Sequence, residues 1–267
     1  PATKGMENRK MVVLQSHVDM VCEKNNDVSF DFDNDPIQAW IDGDWVKAKG
    51  TTLGADDGIG IAAQLAILEA ADLRHGPIEC LFTVDEETGL TGAFGLKPGF
   101  LKSSILLNLD SEDDGELFIG CAGGKDTLAE LSYTIENTPG GHRGLRISIS
   151  GLLGGHSGDD ISKGRGNAVK LLNRILWHAA RHFGLRVNDI KGGNLRNAIA
   201  REAFASVVVP ADKKSSLLEY LILFMKHVQG EYRITEPGLV VSYEVIDSQD
   251  NIIEKMAQDR LLNAIYS

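Results

Sequence analysis

Three short apolar runs constrain the fold of this 267-residue chain more than any other feature. They lie at residues 11–16, 78–84 and 105–109, and each leads directly into ionisable side chains. Nearly continuous apolar runs of this length are typical of parallel strands that are buried on both faces. Between the first two runs, residues 59–71 are Ala-rich and long enough for a buried helix. The alternation predicts an α/β domain with a mainly parallel sheet.

The second half of the chain predicts a different order of elements, namely strand, helix, two strands, helix and strand. The segments are residues 144–151, 167–183, 185–190, 203–209, 215–228 and 239–246. This β-α-β-β-α-β order is that of a ferredoxin-like unit, which packs its helices on one face of an antiparallel sheet. We therefore divide the chain into domains 1–123 and 124–267. We expect the strand at residues 144–151 to lie at a sheet edge, where it can pair across a two-fold axis.

Composition excludes several classes of protein. Hydrophobic residues make up 43% of the chain, which is enough for a core and unlike a disordered protein. A formal charge of −11 argues against nucleic acid or an anionic membrane as a partner, and the acidic residues are instead possible cation ligands. Neither a membrane-length apolar run nor a signal-peptide pattern is found, so we expect a cytosolic protein.

The three cysteines are far apart in the sequence and form no C-x-x-C pair. They are Cys22, Cys80 and Cys121. This spacing favours neither a disulfide framework nor a thiolate zinc site. We expect each cysteine to be a small buried hydrophobe.

Ionisable residues follow each of the three apolar runs: His17 and Asp19, residues 85–87, and Asp110. A fourth segment, GADDG at residues 54–58, is a turn that opens the predicted helix. In an open parallel sheet the carboxyl ends of the strands meet at one edge, where ligands bind. The sequence therefore predicts that one imidazole and several carboxylates line a common rim. Divalent cations use such ligands.

Each segment also has a purely structural interpretation when it is taken alone. His17 and Asp19 form a possible hydrogen-bonded pair at a strand end. Asp56 and Asp57 suit the N-cap of a helix, and residues 85–87 suit a solvated loop. Their joint occurrence at the ends of apolar strands is what favours a metal site.

Four motifs of the first half carry a family resemblance: LQSHVDMV, GTTLGADDGIG, TVDEETGLTGAFGL and LLNLDSEDDGELFIGCAGG. They resemble those of the M20 metallopeptidases, and among them the aminoacyl-histidine dipeptidases. Two later segments, GLLGGHSGDDI and GGNLRNAIAREAFA, are similar to the lid domain of the same family. The resemblance implies a mainly parallel-sheet zinc-peptidase catalytic domain followed by a ferredoxin-like α+β lid domain.

The resemblance also implies a site for two divalent metals, with zinc first and manganese or cobalt as alternatives. His17 and Asp110 would bind one metal and Glu87 the other, with Asp56 as the bridge between them. Asp19 would hydrogen-bond the second ring nitrogen of His17 and so fix its tautomer. The ligand set implied by the resemblance is therefore one histidine and three carboxylates.

For catalysis, the resemblance implies that Glu86 is the general base for a water bridged between the two metals. His156 would donate to the oxyanion, and Asn194 and Arg196 would contact the peptide and its C-terminal carboxylate. The substrate would be a dipeptide of the Xaa-His type, and a homodimer would form through the lid. Structural alternatives stay open for these lid residues: a turn for His156 and Asn194, and a surface salt bridge for Arg196.

One motif of the family is absent from the sequence, a glycine-rich H-A-G-L-E-like segment that supplies a final histidine ligand. We expect a chain truncated at both ends. His178 and His182 are spaced i, i+4 and are a weaker candidate metal pair, because no acid adjoins them. Two classes of function therefore stay open: an M20 dipeptidase, and a catalytically incomplete fragment that binds metal or dimerises.

Overall fold

The computed structural model describes residues 1–111, 113–121 and 123–267. The chain divides into two compact units, Pro1–Ala122 and Gly123–Ser267, called unit 1 and unit 2 below. The elements of unit 1 are, in chain order, β1 (Val12–His17), β2 (Ala39–Asp42), β3 (Trp45–Ala48), α1 (Ala55–Glu69), β4 (Ile78–Thr83), α2 (Glu86–Gly89), α3 (Thr91–Phe94) and β5 (Leu106–Asn108).

A parallel sheet of order β4-β1-β5 organises the described part of unit 1. Residues Val12 to His17 of β1 align with Ile78 to Thr83 of β4, so the two strands end at the same edge. Helix α1 lies in the crossover between these strands and packs on β1, as in a β-α-β unit. The prediction of an α/β domain with a parallel sheet is therefore confirmed, and β2 and β3 add a hairpin that was not predicted.

The three strands differ in burial, which corrects one prediction. Val13 and Leu14 of β1 are buried, whereas Leu106 and Leu107 of β5 are 50% and 45% exposed. Because α1 packs on β1, the described part of unit 1 leaves β5 uncovered. The expectation that all three runs are buried on both faces is wrong for β5. It is also wrong for the end of the run at residues 78–84, where Phe82 is 38% and Val84 is 54% exposed.

Unit 2 is the ferredoxin-like unit predicted from the order of its elements. Its elements are β6 (Ile135–Asn137), β7 (His142–Ser150), α4 (Ala168–His182), β8 (Arg186–Gly192), β9 (Ala203–Pro210), α5 (Lys214–Glu231), β10 (Val240–Ile246), β11 (Asn251–Ile253) and α6 (Lys255–Tyr266). The antiparallel order β10-β7-β9-β8 is that of the ferredoxin-like sheet. Leu145, Ile147 and Ile149 alternate along β7 and are buried in the core beneath the helices.

Strand β7 lies inside the sheet, between β10 and β9. The prediction that residues 144–151 form an edge strand is therefore wrong, and the edges of this sheet are β10 and β8. The alternating pattern arises because one face of β7 packs against the helices, not because an edge is open. Strands β6 and β11 and helix α6 extend the unit beyond the predicted elements.

The described residues also correct the prediction for the cysteines. Cys22 and Cys121 are exposed and Cys80 is half-buried, so none of them is the small buried hydrophobe expected from composition. Within the described residues, no helix is both long and apolar enough to span a membrane.

Candidate metal centre and active site

The ring of His17, at the end of β1, lies between two carboxylates of unit 1. Its Nε2 is 3.2 Å from Oδ1 of Asp56 and 3.6 Å from Oδ1 of Asp110. His17 is 1% exposed, so the sheet fixes the ring in place. Asp56 comes from the turn that begins α1, and Asp110 follows β5. The carboxyl ends of the strands thus bring together residues that are widely separated in sequence.

Two groups of possible ligands meet at this point. His17, Asp56 and Glu87 form one group, and His17, Asp57 and Asp110 form the other. Within each group, one ligand atom per residue lies within 4.8 Å of the others. An imidazole surrounded by carboxylates suits zinc, and it also suits manganese and cobalt. The residues present therefore fit a divalent metal, and the four predicted ligands are all among them.

The electrostatics of the cluster also suit a cation. Burial, together with hydrogen bonding and charge from Asp56, raises the pKa of Asp110 to about 7. The pKa of Glu87 is also raised, first by burial and then by the charges of Asp56 and Glu86. Burial lowers the pKa of His17, but Asp110, the Asp19 carbonyl and Asp56 together outweigh it and the net shift is upward. When no cation is bound, the raised pKa values favour protonation of Asp110 and Glu87.

Asp57 is a buried residue of the site whose role the sequence analysis missed. Its Oδ2 accepts the backbone N–H of His17 at 3.3 Å, and its Oδ1 accepts the N–H of Gly60 at 3.1 Å. The N-cap interpretation of the Asp-Asp pair thus fits Asp57, while Asp56 faces the His17 ring. A Cβ on Gly60 would lie 2.2 Å from Oδ1 of Asp57, so this contact needs glycine. The glycine three residues after Asp57 was the available signal.

Asp19 links His17 to the turn that carries Glu86 and Glu87. Its two carboxylate oxygens accept the backbone N–H groups of Glu86 and Glu87, each at 3.1 Å. Burial raises the pKa of Asp19, but these hydrogen bonds outweigh it and hold the pKa below its usual value. The shorter contact to Nδ1 of His17 comes from the Asp19 carbonyl at 2.9 Å, and the carboxylate lies at 3.5 Å. Asp19 therefore orients the ring largely through its main chain.

The turn after β4 is shaped by Asp85, which adopts a left-handed backbone conformation with φ of 59°. Its carboxylate accepts hydrogen bonds from the hydroxyls of Thr88 and Thr91. Glu86 and Glu87 follow in the short helix α2, and both are half-buried. Because consecutive side chains point in different directions, the two glutamates can have different tasks.

In unit 2, the three predicted lid residues lie on two paired segments. His156 forms an isolated antiparallel bridge with Ala198, and the Ser157 N–H donates to the Asn197 carbonyl at 2.7 Å. This pairing brings His156 beside the segment that contains Asn194 and Arg196. All three side chains are exposed, and Arg196 forms an ion pair with Asp126 at 3.3 Å.

The second candidate pair of histidines has an aromatic environment. The rings of His178 and His182 have centroids 4.2 Å apart, and His178 also stacks on Tyr220 at 4.3 Å. Among the residues that the structure describes, neither histidine belongs to a group of three possible metal ligands. These contacts favour a packing role for the pair.

The fold and the site together define a class of two-unit protein, with a carboxylate-rich centre on a parallel sheet and a ferredoxin-like second unit. Residues 147–236 match the peptidase dimerisation domain of the M20 family. Part of unit 2 is thus similar to the dimerisation domain of M20 peptidases.

Two relatives with nearly half of their aligned residues identical match nearly the whole chain. The cytosol non-specific dipeptidase of Escherichia coli K12 is 48% identical over 267 residues, which are 99% of this chain and 55% of that protein. The crystal structure of aminoacylhistidine dipeptidase from Vibrio alginolyticus matches with 47% identity and a TM-score of 0.59, covering 100% of this chain and 54% of that one. The uncharacterized protein YqjE of Bacillus subtilis is 34% identical over 113 residues, 41% of this chain and 28% of that protein. The chain thus spans about half the length of the Escherichia coli and Vibrio alginolyticus relatives.

Proposed function

We propose that this chain provides the catalytic groups of a metal-dependent dipeptidase. The observation that carries the proposal is the cluster of His17, Asp56, Glu87 and Asp110 at one edge of the sheet in unit 1. The names of the two relatives that match the whole chain, both dipeptidases, support it. Unit 1 is then the catalytic domain, and unit 2 acts as a lid and dimerisation domain.

His17 and Asp110 would hold one metal and Glu87 a second, with Asp56 shared between them. Such a pair polarises the peptide carbonyl and lowers the pKa of water near neutral pH. The protein itself keeps the ligands in position: β1 fixes His17, and the Asp57 carboxylate holds the backbone of His17 against the start of α1. Zinc is the first expectation, and manganese and cobalt use the same ligands.

Glu86 is the general base in this proposal. It takes a proton from the attacking water and returns it to the nitrogen of the leaving amine as the peptide bond breaks. Two hydrogen bonds from its turn to Asp19 hold the backbone on which Glu86 sits. Burial raises the pKa of Glu87, and the charges of Asp56 and then Glu86 raise it further, so the Glu86 carboxylate lies close enough to Glu87 to affect its charge.

Unit 2 would supply residues that bind the substrate. His156 would donate a hydrogen bond to the carbonyl oxygen as negative charge develops on it, and Asn194 and Arg196 would bind the peptide and its terminal carboxylate. The name of the Vibrio alginolyticus relative favours Xaa-His dipeptides, whereas that of the Escherichia coli relative indicates a wider range. We propose Xaa-His dipeptides as the preferred substrates, a cytoplasmic location and a homodimer.

The competing interpretation is an incomplete fragment without peptidase activity. The dipeptidase is supported instead by two groups of possible ligands among the described residues, which share His17 and together include all four predicted ligands.

The test uses the full-length protein that contains this chain, loaded with zinc, manganese or cobalt. We expect it to hydrolyse dipeptides, with a higher kcat/KM for Xaa-His than for matched Xaa-Ala substrates. Glu86→Gln should lower kcat by about 10²- to 10⁴-fold while metal binding is retained. Glu69→Gln, the same change at an exposed site on α1, should have no effect. Absence of dipeptide hydrolysis by the metal-loaded protein would show that the proposal is wrong.

A further inference from the structure

A buried carboxylate in unit 2 binds both ends of the loop that carries His156. Glu236 lies between α5 and β10 and is 2% exposed. Its Oε2 accepts the backbone N–H of Leu153 at 2.7 Å, and its Oε1 accepts the N–H of Gly166 at 2.8 Å. The two donors lie on either side of the segment 154–165 between β7 and α4. Glu236 therefore closes this loop from positions 70 and 83 residues away in the sequence.

Because Glu236 is buried, its two hydrogen bonds to the loop are costly to lose. Burying an ionised carboxylate is costly unless its oxygens are hydrogen-bonded, and here each oxygen accepts a loop N–H. If either end of the loop moved away, a buried oxygen would lose its partner. A Cβ on Gly166 would lie 3.3 Å from Cγ of Glu236 and 3.1 Å from Leu152, so the chain passes Glu236 closely.

Within the loop, two further contacts fix His156 itself. Oδ2 of Asp160 accepts the backbone N–H of His156 at 2.8 Å. Nδ1 of the ring lies 3.1 Å from the N–H of Gly158 and 3.3 Å from that of Asp159. Nδ1 also lies 3.7 Å from the Asp159 carboxylate, which is too far for a hydrogen bond. A nitrogen that accepts two N–H groups carries no proton, so the neutral ring has its proton on Nε2. The loop thus presents His156 as a donor through Nε2–H.

We propose that Glu236 is the positioning residue for His156: by joining the ends of the loop, it holds the ring so that Nε2–H is offered to a substrate oxygen. The use of this donor in catalysis rests on the proposed function. The geometry of the loop does not depend on that function. Glu236 acts through His156 and does not touch the substrate. The ligand atom that fits this donor is a carbonyl oxygen on which negative charge develops, as in peptide hydrolysis.

The first measurement needs no activity. In the full-length protein, Glu236→Gln should speed amide exchange at Leu153 and Gly166 by about tenfold or more, because the amide group replaces one acceptor oxygen with a donor. Nitrogen chemical shifts of His156 should show the Nε2–H tautomer in the parent protein and a mixture in the variant. Glu219→Gln, the same change at an exposed position of α5, should alter neither. Unchanged exchange and an unchanged tautomer in Glu236→Gln would overturn the inference.

The second measurement asks whether Glu236 acts through His156. Glu236→Gln should lower kcat by about 10- to 100-fold with little change in KM, because the His156 donor stabilises the transition state more than the bound substrate. The double variant Glu236→Gln/His156→Ala should be no slower than His156→Ala alone, whereas independent effects would multiply and overturn the inference.

A third variant guards against a simple folding defect in Glu236→Gln. Asp160→Asn leaves the ends of the loop joined but weakens the contact to the His156 N–H, and it should disturb the tautomer without changing exchange at Leu153 or Gly166. A parent protein that hydrolyses no dipeptide would count against the proposed function alone, since exchange and tautomer still decide the role of Glu236.

Discussion

The carboxylate of Asp57 accepts the backbone N–H of His17 at 3.3 Å, although 40 residues separate the two in the sequence. Its other oxygen accepts the N–H of Gly60 in the first turn of α1. One buried side chain therefore joins the end of β1 to the start of the crossover helix. The neighbouring Asp56 faces the His17 ring. Of the two adjacent aspartates, Asp57 therefore stabilises the fold and Asp56 is the candidate metal ligand.

Asp57→Ala should destabilise unit 1 by about 3 kcal/mol, because two charge-assisted hydrogen bonds to buried N–H groups are lost. Asp57→Asn keeps one acceptor oxygen and should cost less. Urea unfolding followed by fluorescence of Trp40 and Trp45, in a Trp177→Phe background, isolates the signal of unit 1.

The control for this prediction is Asp72→Ala, which removes an exposed carboxylate from the same unit. It should change the free energy of unfolding by less than about 0.5 kcal/mol. Equal effects of the two substitutions would contradict the role assigned to Asp57.

Asp19→Ala should lower kcat of the metal-loaded full-length protein by about 10- to 100-fold. The substitution removes the acceptor for the N–H groups of Glu86 and Glu87, so the proposed base loses its fixed backbone. Metal content should fall less, because the Asp19 carbonyl still contacts the His17 ring. Steady-state kinetics with parallel metal analysis checks this, and Asp27→Ala at an exposed site is the control. Full activity in Asp19→Ala would show that the turn needs no such support.

The stability of the metal-free chain should fall as pH rises from about 4 to about 7. Burial and the neighbouring Asp56 raise the pKa of Asp110 from 3.8 to about 7, so the folded state holds a proton that the unfolded chain has already released. Burial raises the pKa of Glu87, and nearby carboxylates raise that of His17 against the effect of burial. Both shifts act in the same direction, since a raised folded pKa gives stability that is lost with increasing pH.

Metal should reverse this trend, because a cation replaces the protons on the clustered oxygens. We expect added zinc to raise Tm more at pH 7.5 than at pH 5, and a chelator to remove the gain. Asp110→Asn should flatten the pH dependence of the metal-free chain. Calorimetry at the two pH values checks both statements, and a metal-free Tm that is higher at pH 7.5 would contradict them.

The fold was predictable where a local pattern carried enough information. The order of elements in unit 2 defines the ferredoxin-like topology, and α4 begins one residue after the predicted start, where the Asn167 side chain caps the Lys170 N–H. The place of β7 inside the sheet was not predictable from its own alternation. An inner and an edge strand of a one-sided sheet show the same period of two, and only pairing with β9 and β10 distinguishes them.

For the candidate site, the sequence indicated the types of residue but not the different contacts that Asp56 and Asp57 make. His17, Asp56 and Asp110 follow apolar runs or open a helix, and strand order brings such positions together. The task of Asp57 depends on two backbone N–H groups, one of which is distant in sequence and has no side-chain signature. Glu236 was missed for the same reason, since its partners are the main chains of Leu153 and Gly166.

The proposed homodimer should depend on β10, an edge strand of the sheet in unit 2. Val240, Tyr243 and Val245 are large apolar side chains on this strand, and Val245 is 61% exposed. Val245→Lys should raise the dissociation constant of the dimer by about 100-fold. A two-fold axis places the substitution in the interface twice, so two buried valines are lost, and lysine on an edge strand disfavours pairing. Sedimentation of the full-length protein at several concentrations measures this. Ile222→Lys, at a similarly exposed apolar site on α5, is the matched control. A larger effect of Ile222→Lys would indicate that the interface lies on the helix and not on the strand.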